Sequence, residues 1–168
     1  MTQARPIWRR VAVLAIGGGL AFWLANLAIS LTPLAAEYRA ALSISYVPML
    51  GEALVGGLIL GCCVAYALVR RGARVPVKRP VLTAIVLSMV ALTAVTLLIE
   101  VPAKFLTSLG DPVRYFLIGT LFNLVRILAL GAVVGFLYDS RGGLLGLSAS
   151  PARRGDQLSG DLGHTTVL

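Results

Sequence analysis

Among the polar side chains inside the apolar stretches of this chain, three point most directly to a function. Glu52 lies in one stretch, and Asn123 and Arg126 lie three positions apart in a later one. Residues three apart on an α-helix share a face, so the Asn123 amide and the Arg126 guanidinium are expected to point the same way. A carboxylate, an amide and a guanidinium can pair with one another, bind a small ion, relay a proton or contact a charged group of a neighbouring chain.

Other kinds of catalytic chemistry are argued against by residue type and position. The single histidine, His164, is near the C-terminus, so no imidazole in the apolar stretches can ligate haem or a catalytic metal. Cys62 and Cys63 are adjacent, not spaced as C-x-x-C, and hydroxyl groups in the apolar stretches have no histidine or lysine base beside them. The sequence therefore predicts a protein that is not an enzyme, with no catalytic residues, no cofactor and no metal site.

Four long apolar segments must position these polar side chains. Each segment reaches the roughly 20 residues that an α-helix needs to cross the hydrocarbon of a bilayer. With 58% hydrophobic and 13% charged residues and a mean hydropathy of +0.88, the chain has too little polar surface to coat a soluble globule. We predict an all-α integral membrane bundle of four transmembrane helices. The predicted helices are 11–32, 47–69, 81–101 and 113–138 within a transmembrane domain 11–138.

The positive charge of the chain, net +8, predicts its orientation. The basic residues concentrate in the N-terminal segment 1–10, in the loop between the second and third helices, and after the fourth helix. By the positive-inside rule both termini are cytoplasmic, in a multi-pass protein of the cytoplasmic (inner) membrane. Topology explains this charge, so no nucleic-acid partner is predicted. A cleaved signal peptide is the alternative for the first segment, but its apolar core is longer than the roughly 7–15 residues of a signal peptide.

The composition changes after the fourth helix. Residues 139–168 are rich in Gly, Ser, Arg and Asp. Such a segment cannot bury enough apolar surface to offset the entropy lost on ordering. We predict a flexible cytoplasmic tail.

Small residues recur every four positions on three of the helices, with Gly17, Ala21 and Ala25 on the first, which predicts close helix packing. Two interpretations stay open: packing inside one chain, or an interface with a partner or a second copy. The predicted packing stripes are Ala53, Gly57, Gly61 and Ala65 on the second helix, and Gly131 and Gly135 on the fourth.

The four helices also show signs of a tandem repeat of two helices. Basic residues precede Val11 at the start of the first helix and Val81 at the start of the third, about seventy positions later. Gly61 in the second helix then aligns with Gly131 in the fourth. Two-helix units preserve orientation, so a duplication would be parallel, with its axis along the membrane normal.

The position of Arg126 near the middle of its helix suggests a function. An arginine there costs roughly 2.5–3.5 kcal/mol even on lenient insertion scales, so it needs a partner. It either pairs with Glu52 to fix helix register, lines a pathway, or contacts a neighbouring molecule. We predict a non-catalytic (structural, assembly or accessory) subunit of a larger membrane complex, with the lipid bilayer and other membrane subunits, or further copies of itself, as partners. The alternative is a homo-oligomeric channel or transporter for a small ion or solute, with Glu52, Asn123 and Arg126 lining the pathway.

Overall fold

The computed structural model describes residues 4–72, 79–105 and 111–146, and all of the regular structure in them is helical. Within these residues four helices are long and apolar enough to cross a membrane, which confirms the prediction of four apolar helices and indicates a multi-pass membrane protein. The helices are α1 (Ala4–Ser30), α2 (Pro33–Ala41), α3 (Tyr46–Gly72), α4 (Pro80–Val95), a π-helical segment (Thr96–Glu100), α5 (Val101–Phe105) and α6 (Pro112–Gly146).

Several helix bounds differ from the predicted ones: α1 begins at Ala4 and not at residue 11, and α3 ends at Gly72 and not at residue 69. Helix α1 ends at Ser30 and not at residue 32, because Pro33 disfavours the helical conformation of the residue before it. Helix α6 continues to Gly146, although a flexible tail was predicted from residue 139. No proline precedes Pro151 in this part of the chain, so nothing forces the helix to stop earlier. Residues 147–168 of the predicted tail lie outside the described residues.

The connection between the first two spans forms a short helix of its own. Thr32 caps α2, since its hydroxyl accepts a hydrogen bond from the backbone N–H of Ala35 at 3.2 Å. Pro33 occupies the first helical position, where the N–H that it lacks is not needed. Helix α2 is therefore specified locally, before any tertiary contact is considered.

The third span changes its winding near its C-terminal end. Its α-helical part ends at Val95, and one π-helical turn, Thr96–Glu100, precedes Pro102 in α5. A proline inside an α-helix removes one hydrogen bond, and its ring clashes with the carbonyl four residues earlier. The wider turn next to Pro102 accommodates that ring without ending the helix.

The four spanning helices form a bundle in which α1 packs mainly against α3 and α6, and α4 packs mainly against α6. Helix α3 also contacts α4, which closes the square. The interior is filled by aliphatic side chains. The fully buried ones include Val11, Leu68, Ile127, Leu130 and Val134.

Glycines set close contacts between the helices. A Cβ built on Gly61 would lie 2.7 Å from the backbone oxygen of Ala15, so α3 lies directly on α1 there. A Cβ on Gly131 would lie 3.1 Å from the Cα of Ile85, so α6 also lies close to the backbone of α4. Both glycines therefore face a helix of the same chain. Of the other stripe residues, Gly57 lies against α1, Gly135 against α4, Ala65 is buried, and Ala53 is partly buried.

Candidate functional site

Asn123 and Arg126 contact each other on α6. The Arg126 Nη1 donates a hydrogen bond of 3.0 Å to the Asn123 side-chain oxygen. Arg126 is half-buried, and its Nε atom is fully shielded from solvent by the chain itself. The helix period therefore brings the two side chains together. The other helices of the bundle cover part of the guanidinium.

Asn26 on α1 is a further buried polar residue, which was not among the site residues predicted from the sequence. Its side chain is 1% exposed, and neither its amide nitrogen nor its oxygen has a hydrogen-bond partner among the described residues. In a membrane interior an amide without partners costs free energy, because no water is present to replace them. One signal was available: Asn26 is a polar residue of the first apolar segment, four positions after Phe22 and four before Ser30, both of which are buried.

The packing of α1 on α6 brings Asn26 and Arg126 to the same level of the bundle. A Cβ on Gly18 would touch Val134, so these residues are level with each other. Asn26 lies eight residues after Gly18, and Arg126 lies eight residues before Val134 on the antiparallel helix. Each is therefore about 12 Å from that contact in the same direction, at 1.5 Å per residue. Thr120, two turns further along α6, has a buried hydroxyl without a partner in the described part of the chain.

A polar network closes the end of the bundle beyond this level. The Arg39 Nη1 of α2 donates to the backbone oxygen of Ser30 at 3.0 Å, and its guanidinium lies 5.1 Å from the centre of the Tyr46 ring. The hydroxyls of Ser30 and Tyr46 are 3.3 Å apart. Below them the Trp23 Nε1 donates to the backbone oxygen of Leu50 at 3.2 Å. These bonds tie α2 and α3 to the end of α1.

Helix α2 is also joined to α6. Glu37 and Arg114 form an ion pair of 2.6 Å, with both side chains about half exposed. The Tyr38 ring packs edge-on against Phe122 and Tyr115, at centroid distances of 5.7 and 6.2 Å. The level of Asn26 and Arg126 is thus shielded from one end by a short helix that contacts α1 and α6.

Glu52 does not join this group. It lies nine positions before Gly61, which places it on the opposite side of α3 from the face that contacts α1. Its side chain is exposed and makes no hydrogen bond or ion pair with the described residues. The structure therefore brings Asn123 and Arg126 together, adds Asn26 at their level, and leaves Glu52 on the outside of the bundle.

The exposed position of Glu52 is inside a spanning helix. Glu52 follows the start of the span at Tyr46 by six residues, or about 9 Å along the axis.

No three His, Cys, Asp or Glu side chains in the described ranges are grouped so that they could hold a metal ion. The chain matches no protein-family model, no curated protein and no solved structure.

Proposed function

We propose that this protein is a non-catalytic (structural, assembly or accessory) subunit of a larger protein complex in the cytoplasmic membrane. The observation that carries the proposal is the Glu52 carboxylate on the outer face of α3. Ionisable side chains inside a membrane span rarely face lipid, because leaving them there without a partner costs several kcal/mol. A basic or hydrogen-bonding side chain on the helix of another subunit compensates for this cost.

The surface around Glu52 has room for such a helix. Gly56 follows Glu52 by one turn on the same face of α3, and a Cβ built on it would have no atom within 4 Å. Val55 and Ile59 on this face are also well exposed. A glycine next to a polar residue lets a second helix approach closely enough for its donor to reach the carboxylate.

The first test is purification from the native membrane in mild detergent, followed by mass spectrometry of the proteins that accompany the chain. Partner chains are expected in fixed ratio, and Glu52→Gln is expected to lower their recovery about tenfold, the effect of roughly 1.4 kcal/mol. Glu37→Gln is the matched control, since this carboxylate already has Arg114 as a partner. Recovery of the chain with no other protein would overturn the subunit proposal.

A second candidate, a homo-oligomeric channel or transporter for a small ion or solute, is favoured by the buried polar groups. Asn26 and Thr120 retain hydrogen-bonding capacity next to the level of Arg126. In such a protein Asn26, Asn123 and Arg126 line the route inside each copy, and Glu52 faces a neighbouring copy. Solute flux in liposomes that contain only this chain, lost in Arg126→Ala and kept in Glu37→Gln, would favour this candidate over the subunit.

The proposed subunit has both termini in the cytoplasm. In support, Arg9 of α1, Arg70 of α3 and Arg79 before α4 lie at one end of the bundle. Trp8 and Tyr66 stack at the same end with ring centres 6.0 Å apart, as in an interfacial aromatic belt. A green fluorescent protein fused after Leu168 is expected to fluoresce, and alkaline phosphatase inserted after Leu42 is expected to be active. The reverse pattern would contradict the orientation.

A tandem repeat of two helices belongs to the same proposal. The contact of Gly61 with Ala15 has a counterpart in the contact of Gly131 with Ile85. Both members of the second pair follow the first by seventy positions, from 61 to 131 and from 15 to 85. Equivalent close contacts in the hairpins α1–α3 and α4–α6 support a duplicated unit with its axis along the membrane normal.

A further inference from the structure

We propose that a groove beside the start of α4, at one end of the bundle, binds a phospholipid whose headgroup carries a primary amine. The groove has a volume of about 460 Å³, within the range of small-molecule sites. It is open to the outside of the bundle. Its lining residues are Arg79, Pro80, Val81, Leu82, Ile85 and Asp139.

The contact of α4 with α6 places the two charged residues at the same end of this groove. Gly135 lies against the backbone of Val81. Arg79 lies two residues before Val81, and Asp139 follows Gly135 by one turn on the antiparallel helix. A positive and a negative side chain therefore lie at the same end of two neighbouring apolar spans. The ends of such spans lie at the depth of the lipid headgroups.

The side chains of Arg79 and Asp139 are exposed and form no ion pair with each other. A guanidinium binds a phosphate through two parallel hydrogen bonds, and a carboxylate accepts hydrogen bonds from a primary ammonium. A headgroup with a phosphate and an ammonium group satisfies both residues at once. The exposed side chains of Val81 and Leu82 continue from the charged end along the apolar flank of α4, where the first carbons of an acyl chain would lie.

The same residues disfavour other common headgroups. A choline group has no N–H to donate to Asp139, and the described residues that line the groove include no aromatic side chain to receive a quaternary ammonium. A glycerol headgroup brings no positive charge to Asp139. The charge pattern thus selects the primary amine, and the apolar flank of α4 selects a lipid over a free phosphate ester.

The test is native mass spectrometry of the purified protein mixed with equal amounts of phosphatidylethanolamine, phosphatidylcholine and phosphatidylglycerol with identical acyl chains. Phosphatidylethanolamine is expected to be retained about fivefold over each of the others, the ratio expected from one exposed ion pair. Asp139→Asn is expected to abolish this preference, and Arg79→Gln to lower retention of all three lipids. Both residues are exposed, so the variants are expected to fold.

Arg9→Gln is the matched control, because Arg9 is an exposed arginine at the same end of the bundle that does not line the groove. Its lipid preference is expected to equal that of the unmodified protein. Equal retention of the three lipids by the unmodified protein would overturn the proposal. So would a preference that survives Asp139→Asn, or binding of free phosphoethanolamine as tight as that of the lipid.

Discussion

Replacing Gly61 with leucine is expected to lower the free energy of unfolding by about 3 kcal/mol, at the upper end of the range for overpacked sites. The Cβ alone would lie 2.7 Å from the backbone oxygen of Ala15 and 3.2 Å from the backbone nitrogen of Gly19. Backbone atoms cannot rotate aside, so α1 and α3 must separate. The measurement is the midpoint of unfolding by sodium dodecyl sulfate in mixed micelles, followed by circular dichroism.

Gly56→Leu is the control on the same helix. A Cβ at Gly56 meets no atom within 4 Å, so the change in the free energy of unfolding is expected to stay within about 0.5 kcal/mol. Leucine is a better helix former than glycine at both positions, so equal losses in the two variants would show that the contact with α1 does not decide the effect. In the native membrane, Gly56→Leu is also expected to lower recovery of partner chains, because it fills the space next to Glu52.

Replacing Asn26 with leucine is expected to raise the free energy of unfolding by about 1–3 kcal/mol, the cost of a buried amide without partners. Asn26 is 1% exposed, and leucine has a similar size and no group that needs a hydrogen bond. The same detergent titration measures the gain. Asn123→Leu is the matched control and is expected to destabilise the protein, because it removes the oxygen that accepts from Arg126.

A loss of stability in Asn26→Leu would contradict this expectation. It would mean that Asn26 has a partner in the membrane, such as a bound water or solute, and it would favour the transporter over the subunit. If Asn26→Leu gains stability and the partner chains still accompany it, Asn26 has no role in the assembly. The two results therefore separate a structural amide from a binding residue.

The number of long apolar helices followed from the sequence alone. Hydrocarbon accepts only segments whose backbone groups bond within the chain, so four apolar runs of about 20 residues can only be helices there. The helix period was also sufficient to place Asn123 and Arg126 on one face, where they bond. The helix period could not show which helix Gly61 or Gly131 would contact. It specifies which residues share a face of one helix, but not which neighbouring helix packs against that face.

The composition of the candidate site depended on tertiary structure. Glu52 and Arg126 were selected from the sequence because charges in a span are costly, yet Glu52 lies on the outside of α3. Asn26 was not among the residues selected from the sequence, yet it is almost completely buried. Hydropathy and helix period are local properties that specify the length and faces of each span. The rotation of each helix about its axis is set by the close contacts at Gly18, Gly61 and Gly131, and those contacts exist only when all four helices are packed together.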